Sequence, residues 1–259
     1  ITLRYGWRAA FLTTGLLGAP WILWWLRKYR PPVNAKESEP LRISTGAELD
    51  SPQAIPWRRL FVYRQTWGFS LAKFLTDPIW WFYLYWLPSY FSGRFNLSLS
   101  HLGLPLIIVY NVAAFGSIGG GWLPAPFRRL GLSPSNARLA AMLLCAVLVV
   151  PIYSAAGLKS EWMAIALLSL AAGAHQGWSA NLFTTASDMF PRSAVGTVVG
   201  IGGMAGAAGG AIFAFIAGHI LQLTHSYRSL FGVAACAYLL ALVILYLVAP
   251  ALKKVEFAA

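Results

Sequence analysis

Seven apolar segments long enough to cross a bilayer limit what this sequence can fold into, since a spanning helix needs about 20 residues. They run from about 8 to 26, 66 to 91, 102 to 123, 139 to 156, 162 to 190, 194 to 221 and 229 to 249. Hydrophobic residues make up 58% of the 259 and charged residues only 11%, with a mean hydropathy of +0.61. Soluble domains carry about 25% charged residues, so most of this surface faces something other than water. The class is therefore an all-α, polytopic membrane helix bundle with seven transmembrane helices, in contact with membrane lipid.

The net charge of +12 does not mark a nucleic-acid binder, because the basic residues form no stripe on a soluble face. They fall between the apolar segments. If the first segment ends inside, fourteen basic residues lie on the cytoplasmic side, five outside, and Lys73 within the membrane. That bias follows the positive-inside rule and places the C-terminus in the cytoplasm. Cys145 and Cys236 both sit in apolar segments and give neither a disulfide framework nor metal spacing.

The first segment ends at Arg27-Lys28-Tyr29-Arg30 and is stopped by Pro31-Pro32. Residues 31–65 are polar, rich in Pro, Glu, Ser and Arg, and lack apolar periodicity, which reads as a cytoplasmic linker. The end of that linker, Ile55 to Arg64, mixes Trp57, Leu60 and Phe61 with Arg58 and Arg59, as a short helix lying on the membrane would.

Chemistry concentrates in the second segment, Lys73-Phe-Leu-Thr-Asp-Pro-Ile-Trp-Trp-Phe-Tyr-Leu-Tyr-Trp86. Each charge at mid-helix costs roughly 2.5–3.5 kcal/mol, and a Leu-type residue returns only about 0.3–0.6. Lys73 and Asp77, four apart, share a helix face, and Pro78 removes a backbone donor beside them. Such a pair either closes on itself between helices or faces an aqueous cavity where Lys73 meets an anion. The second reading is preferred.

The fifth segment carries His175-Gln-Gly-Trp-Ser-Ala-Asn181, followed by Asp188. On a helical wheel Trp178, Asn181 and Thr185 fall on one side and His175, Gln176 and Ser179 on another. Together they suit a cavity wall, while Asp188 reads as interfacial and structural. Asn111 in the third segment suits a hydrogen bond to a neighbouring helix as well as it suits substrate contact. In the sixth segment Gly202, Gly206 and Gly210 are spaced for close helix approach. Gly200-Ile-Gly-Gly-Met-Ala205 matches a dinucleotide fingerprint in letters only, since no strand precedes it. The four histidines lack ligand spacing, and no phosphate loop or paired catalytic carboxylates occur, so no cofactor is expected and an enzyme is disfavoured.

Three stretches carry a resemblance: Lys73-Phe-Leu-Thr-Asp-Pro-Ile-Trp-Trp-Phe82, His175-Gln-Gly-Trp-Ser-Ala-Asn-Leu-Phe183 and Val199-Gly-Ile-Gly-Gly-Met-Ala-Gly206. They look like bacterial hexuronate transporters, of the anion:cation symporter family within the major facilitator superfamily. The loop Gly119 to Gly131 also resembles the second-half copy of that superfamily's loop motif, without its usual Asp. The resemblance implies two six-helix halves around a central site in a bacterial inner membrane. This chain would then supply the last helix of the first half (1–30), the central linker (31–65) and the second half (66–259). The family's proton-coupling carboxylates and a substrate-binding Arg belong to the missing N-terminal half, so this chain alone is not expected to work as a symporter.

The function implied is import of a sugar acid, first a galacturonate or glucuronate, by proton symport. The alternatives are an aldonate or glucarate, or a membrane scaffold derived from a transporter half. Lys73, held by Asp77, would meet the carboxylate, and Gln176, Ser179 and Asn181 the hydroxyls. Trp178 or Trp81 would cover the apolar sugar face. Lys73, Trp178 and Asn181 are expected to line one site, with Asn111 and His175 as further contacts.

Overall fold

A computed structural model of the chain describes residues 1–30 and 55–256. All regular structure among them is helical. The chain divides into two units, Ile1–Ser51 and Pro52–Ala259. The described part of the first is α1 (Thr2–Lys28), which is interrupted at Gly6 (φ 79°) and contains Pro20. It ends on Arg27 and Lys28, where Tyr29 turns extended. Residues 31–54 lie outside the described residues, and with them most of the expected linker.

The second unit opens with the single turn α2 (Trp57–Leu60), whose Leu60 is buried while Trp57 and Phe61 stay exposed. It is shorter than the ten-residue surface helix expected. The bundle then comprises α3 (Arg64–Phe95), α4 (Gly103–Trp122), the short α5 (Pro124–Arg129), α6 (Pro134–Val149), α7 (Glu161–Met189), α8 (Arg192–Thr224) and α9 (Arg228–Val248). Every apolar segment thus corresponds to a long helix. The fourth differs in form: α6 stops at Val149 and continues as a 3₁₀ helix, Val150–Gly157. Pro151 there has no N–H for an α-type bond, and the backbone tightens instead.

Five of the long helices, α1, α4 with α5, α6 with its 3₁₀ extension, α8 and α9, are long and apolar enough to span a membrane by length and composition. The other two, α3 and α7, are the ones that carry Lys73, Asp77, His175 and Asn181. At 32, 29 and 33 residues, α3, α7 and α8 exceed what the hydrocarbon core needs. A 32-residue helix is about 48 Å long, so it tilts or projects beyond the lipid.

Two glycine-lined crossings set the packing. On α4 and α7, Gly116 lies on the backbone of Gly173 and Gly120 on Gly177, and a Cβ at either α4 position would collide with it. On α3 and α8, Gly202 faces Phe69 and Lys73, Gly206 faces Asp77, Gly209 faces the Phe74 backbone and Pro78, and Gly210 faces Trp81. At the opposite end of the bundle from α2, the 3₁₀ helix is pinned to α3. The Tyr90 hydroxyl donates to the Ala155 carbonyl at 2.8 Å, and Arg94 donates to the Leu158 carbonyl at 2.9 and 3.1 Å.

Candidate functional site

The i, i+4 spacing on α3 delivers the pair it implies. Lys73 Nζ lies 2.8 Å from Asp77 Oδ2, and Lys73 is 4% exposed. The glycines of α8 make room for it, since a Cβ at Gly206 would collide with the Asp77 carboxylate and one at Gly202 with Phe69. On the α7 side the ammonium lies 4.1 Å from the centroid of the Phe183 ring. An isolated charge would be far more costly here than a paired one, and the pair also gains from the ring face.

A second buried cluster surrounds His175. Its Nδ1 lies 2.6 Å from the Tyr238 hydroxyl of α9, and its ring stacks on Trp80 at 5.2 Å with an interplanar angle of 6°. Trp178 meets the same Tyr238 edge-on at 5.6 Å. The helical-wheel division therefore needs correcting. His175 and Trp178 share the buried face of α7, three residues apart, and only Gln176 and Ser179 stand half-exposed beside it. Trp178 is fully buried, with an indole N–H that has no partner among the described residues, so in this conformation it covers no ligand.

Asn181 belongs to a third group. Its amide donates to the carbonyls of Gly120 at 2.7 Å and Gly177 at 2.9 Å, and its oxygen accepts from Arg138 at 3.4 Å. Arg138 in turn pairs with Asp188 at 2.6 Å. Asn181 and Phe183 are two residues apart, hence about 200° apart around α7. The side of α7 that faces Lys73 is therefore not the side that carries Asn181. The expectation that Lys73, Trp178 and Asn181 line one site does not hold in this conformation, because Trp178 and Asn181 are spent on helix contacts. Asn111 is exposed and donates to Ile107 within its own helix at 2.8 Å, not to a neighbouring helix.

Lys73, Asp77 and Trp81 do form one continuous stripe on α3. Trp81 is 38% exposed, stacks on Tyr85 at 5.9 Å, and with it walls a cavity of about 230 Å³ floored by Ala207, Gly210, Ala211 and Ala214 of α8. The stripe can offer a cation and an aromatic face about two turns apart. Sequence reasoning missed Phe183, Tyr238 and the Arg138–Asp188 pair. The only signal for the first two is aromatic residues in helices already full of them.

The chain has relatives among known proteins. Residues 1–214 match the Major Facilitator Superfamily. The chain belongs to that superfamily. It is 28% identical to the hexuronate transporter of Escherichia coli K12 over 262 residues, 98% of this chain and 60% of that protein. It is also 28% identical to the probable L-galactonate transporter of the same strain, over 89% of this chain and 52% of the relative. With the galacturonate transporter of Dickeya chrysanthemi the identity is 30%, over 49% of this chain and 39% of that protein. The chain thus spans about 60% of the length of its E. coli hexuronate relative. These relatives are transporters rather than enzymes, and a major facilitator chain with several apolar spanning helices is a membrane protein.

Proposed function

We propose that this chain is the anion-recognising part of a secondary transporter for a sugar acid, with a hexuronate as first substrate and a proton as coupling ion. The observation that carries the proposal is the Lys73–Asp77 pair, a cation held 4% exposed within the long, aromatic-rich helix α3 beside an aromatic wall. Intramembrane ionisable residues mark substrate or ion pathways, and a compact ammonium suits a single carboxylate. Asp77 limits the charge cost when no ligand is present, and Trp81 offers its face to the sugar ring. Residues 1–30 then serve as the last helix of a first half, 31–65 as linker and 66–259 as the second half. The charge bias supports a cytoplasmic C-terminus, in a bacterial inner membrane.

A second reading, an aldonate as substrate, is favoured by the equal identity to the L-galactonate relative. Both readings are tested by uptake of labelled galacturonate, glucuronate and galactonate into vesicles, with and without an inward proton gradient. Two proteins are compared, this 259-residue chain and the product of the longest open reading frame containing it. Gradient-driven uptake by the longer product, abolished by Lys73→Ala, is the expected result, with none by the 259-residue chain alone. Uptake of galactonate alone moves the substrate to the aldonates. Uptake indifferent to Lys73→Ala makes the pair structural, and no uptake of any of the three by either protein sinks the transport reading.

A further inference from the structure

The Lys73 ammonium has two neighbours that act on its charge differently. Asp77 Oδ2 lies 2.8 Å from Nζ on the same helix, and the Phe183 ring lies 4.1 Å away on α7. A carboxylate neutralises an ammonium by its own charge. An aromatic face attracts the cation through its quadrupole and leaves the positive charge on the nitrogen. Phe183 also differs in access, being 40% exposed where Lys73 is 4%. It packs at 6.4 Å against Phe69, whose own edge faces Gly202 of α8.

We infer that Phe183 is a specificity-determining residue for anion recognition. Its ring is a second, uncharged partner for the ammonium beside Asp77, so that a ligand carboxylate can join as a second anion on one cation. With an aliphatic side chain at 183 the ring face is lost, and the ligand competes for a cation whose sole partner is Asp77. This inference rests on the sugar-acid reading above and adds to it the residue that keeps the cation available.

The test replaces Phe183 with phenylalanines carrying one, two and three ring fluorines, which withdraw charge from the ring face while changing its volume little. Sugar-acid uptake by the product of the longest reading frame containing this chain is measured in vesicles, separating KM from kcat. KM is expected to rise with each fluorine, reaching about tenfold at three, equivalent to about 1.4 kcal/mol, with kcat little changed. A packing role would respond to Phe183→Leu but not to fluorination, so a flat KM series overturns the inference. A second arm needs no transport. In a double-mutant cycle of Lys73→Met and Phe183→Leu, read by thermal unfolding in detergent, the two losses are expected to be less than additive. Strict additivity means the contact carries nothing and overturns the inference. Coupling in the cycle together with no sugar-acid uptake by the parent protein overturns the transport reading, and the recognition role falls with it. Uptake with a flat fluorine series removes the inference alone.

Discussion

Lys73 illustrates how far a single residue can be read. Its charge within an apolar run and the Asp four residues on were enough to expect the pair found at 2.8 Å. What covers that pair was not legible, because Phe183 looks like any other lipid-facing phenylalanine and its partner is about a hundred residues away in sequence. Asn181 misled for a related reason: an amide in a spanning helix must bond to something, and here backbone carbonyls exposed by glycines took it before any ligand could. The pair itself makes a prediction. Removing one partner strands a buried charge, which costs roughly 3–5 kcal/mol. Asp77→Asn is therefore expected to lower the thermal midpoint sharply, whereas Lys73→Met combined with Asp77→Leu recovers most of the loss. Thermal unfolding of the three variants in detergent checks this, and a double variant no better than Asp77→Asn would contradict it.

At the level of elements, the glycines of α8 were expected to allow close approach, and they do. The sequence could not say to what, since a small-residue stripe specifies distance without specifying a partner. The structure sets it against Phe69, Lys73, Asp77 and Trp81, so the crossing and the charged pair are one feature. The α4–α7 crossing joins backbone to backbone at Gly116–Gly173 and Gly120–Gly177. Substitution should therefore discriminate between neighbouring glycines. Gly206→Ala and Gly120→Ala are expected to lower stability by about 1–3 kcal/mol, the range for overpacking. Gly203→Ala and Gly119→Ala, where an added Cβ meets nothing within 4 Å, should be neutral or slightly stabilising. Melting of the four variants in detergent decides it, and equal effects at all four would remove the argument. The 3₁₀ extension of α6 escaped the sequence reading because hydropathy does not register a change of helix type.

For the whole molecule, the helical class and the number of long helices could be read from apolar runs because a bilayer leaves the backbone little choice. Which helix neighbours which could not, because lateral contacts in lipid depend on shape rather than hydropathy. Orientation is the property that remains to be measured. The basic residues cluster at one end of the bundle, at α2, α5, the start of α6 and the tail with Lys253 and Lys254, while Arg94, Lys159 and Arg228 lie at the other. A cysteine at Lys254 is expected to resist an impermeant maleimide in whole cells and to react once the membrane is opened. Cysteine at Lys159 should react from outside. The reverse pattern would invert the orientation.

The pairing of α3 with α8 has a consequence for how the chain is made. The glycines that shelter Asp77 are translated more than a hundred residues after it, on the order of ten seconds later at ordinary synthesis rates. During that interval α3 meets lipid without its eventual neighbour, carrying two charges that lipid disfavours. A partner one helical turn away is available at once, whereas a partner on α8 would not be. The local spacing of Lys73 and Asp77 thus gives α3 a charge-balanced form in which to wait, and the late arrival of α8 converts a temporary arrangement into the finished one.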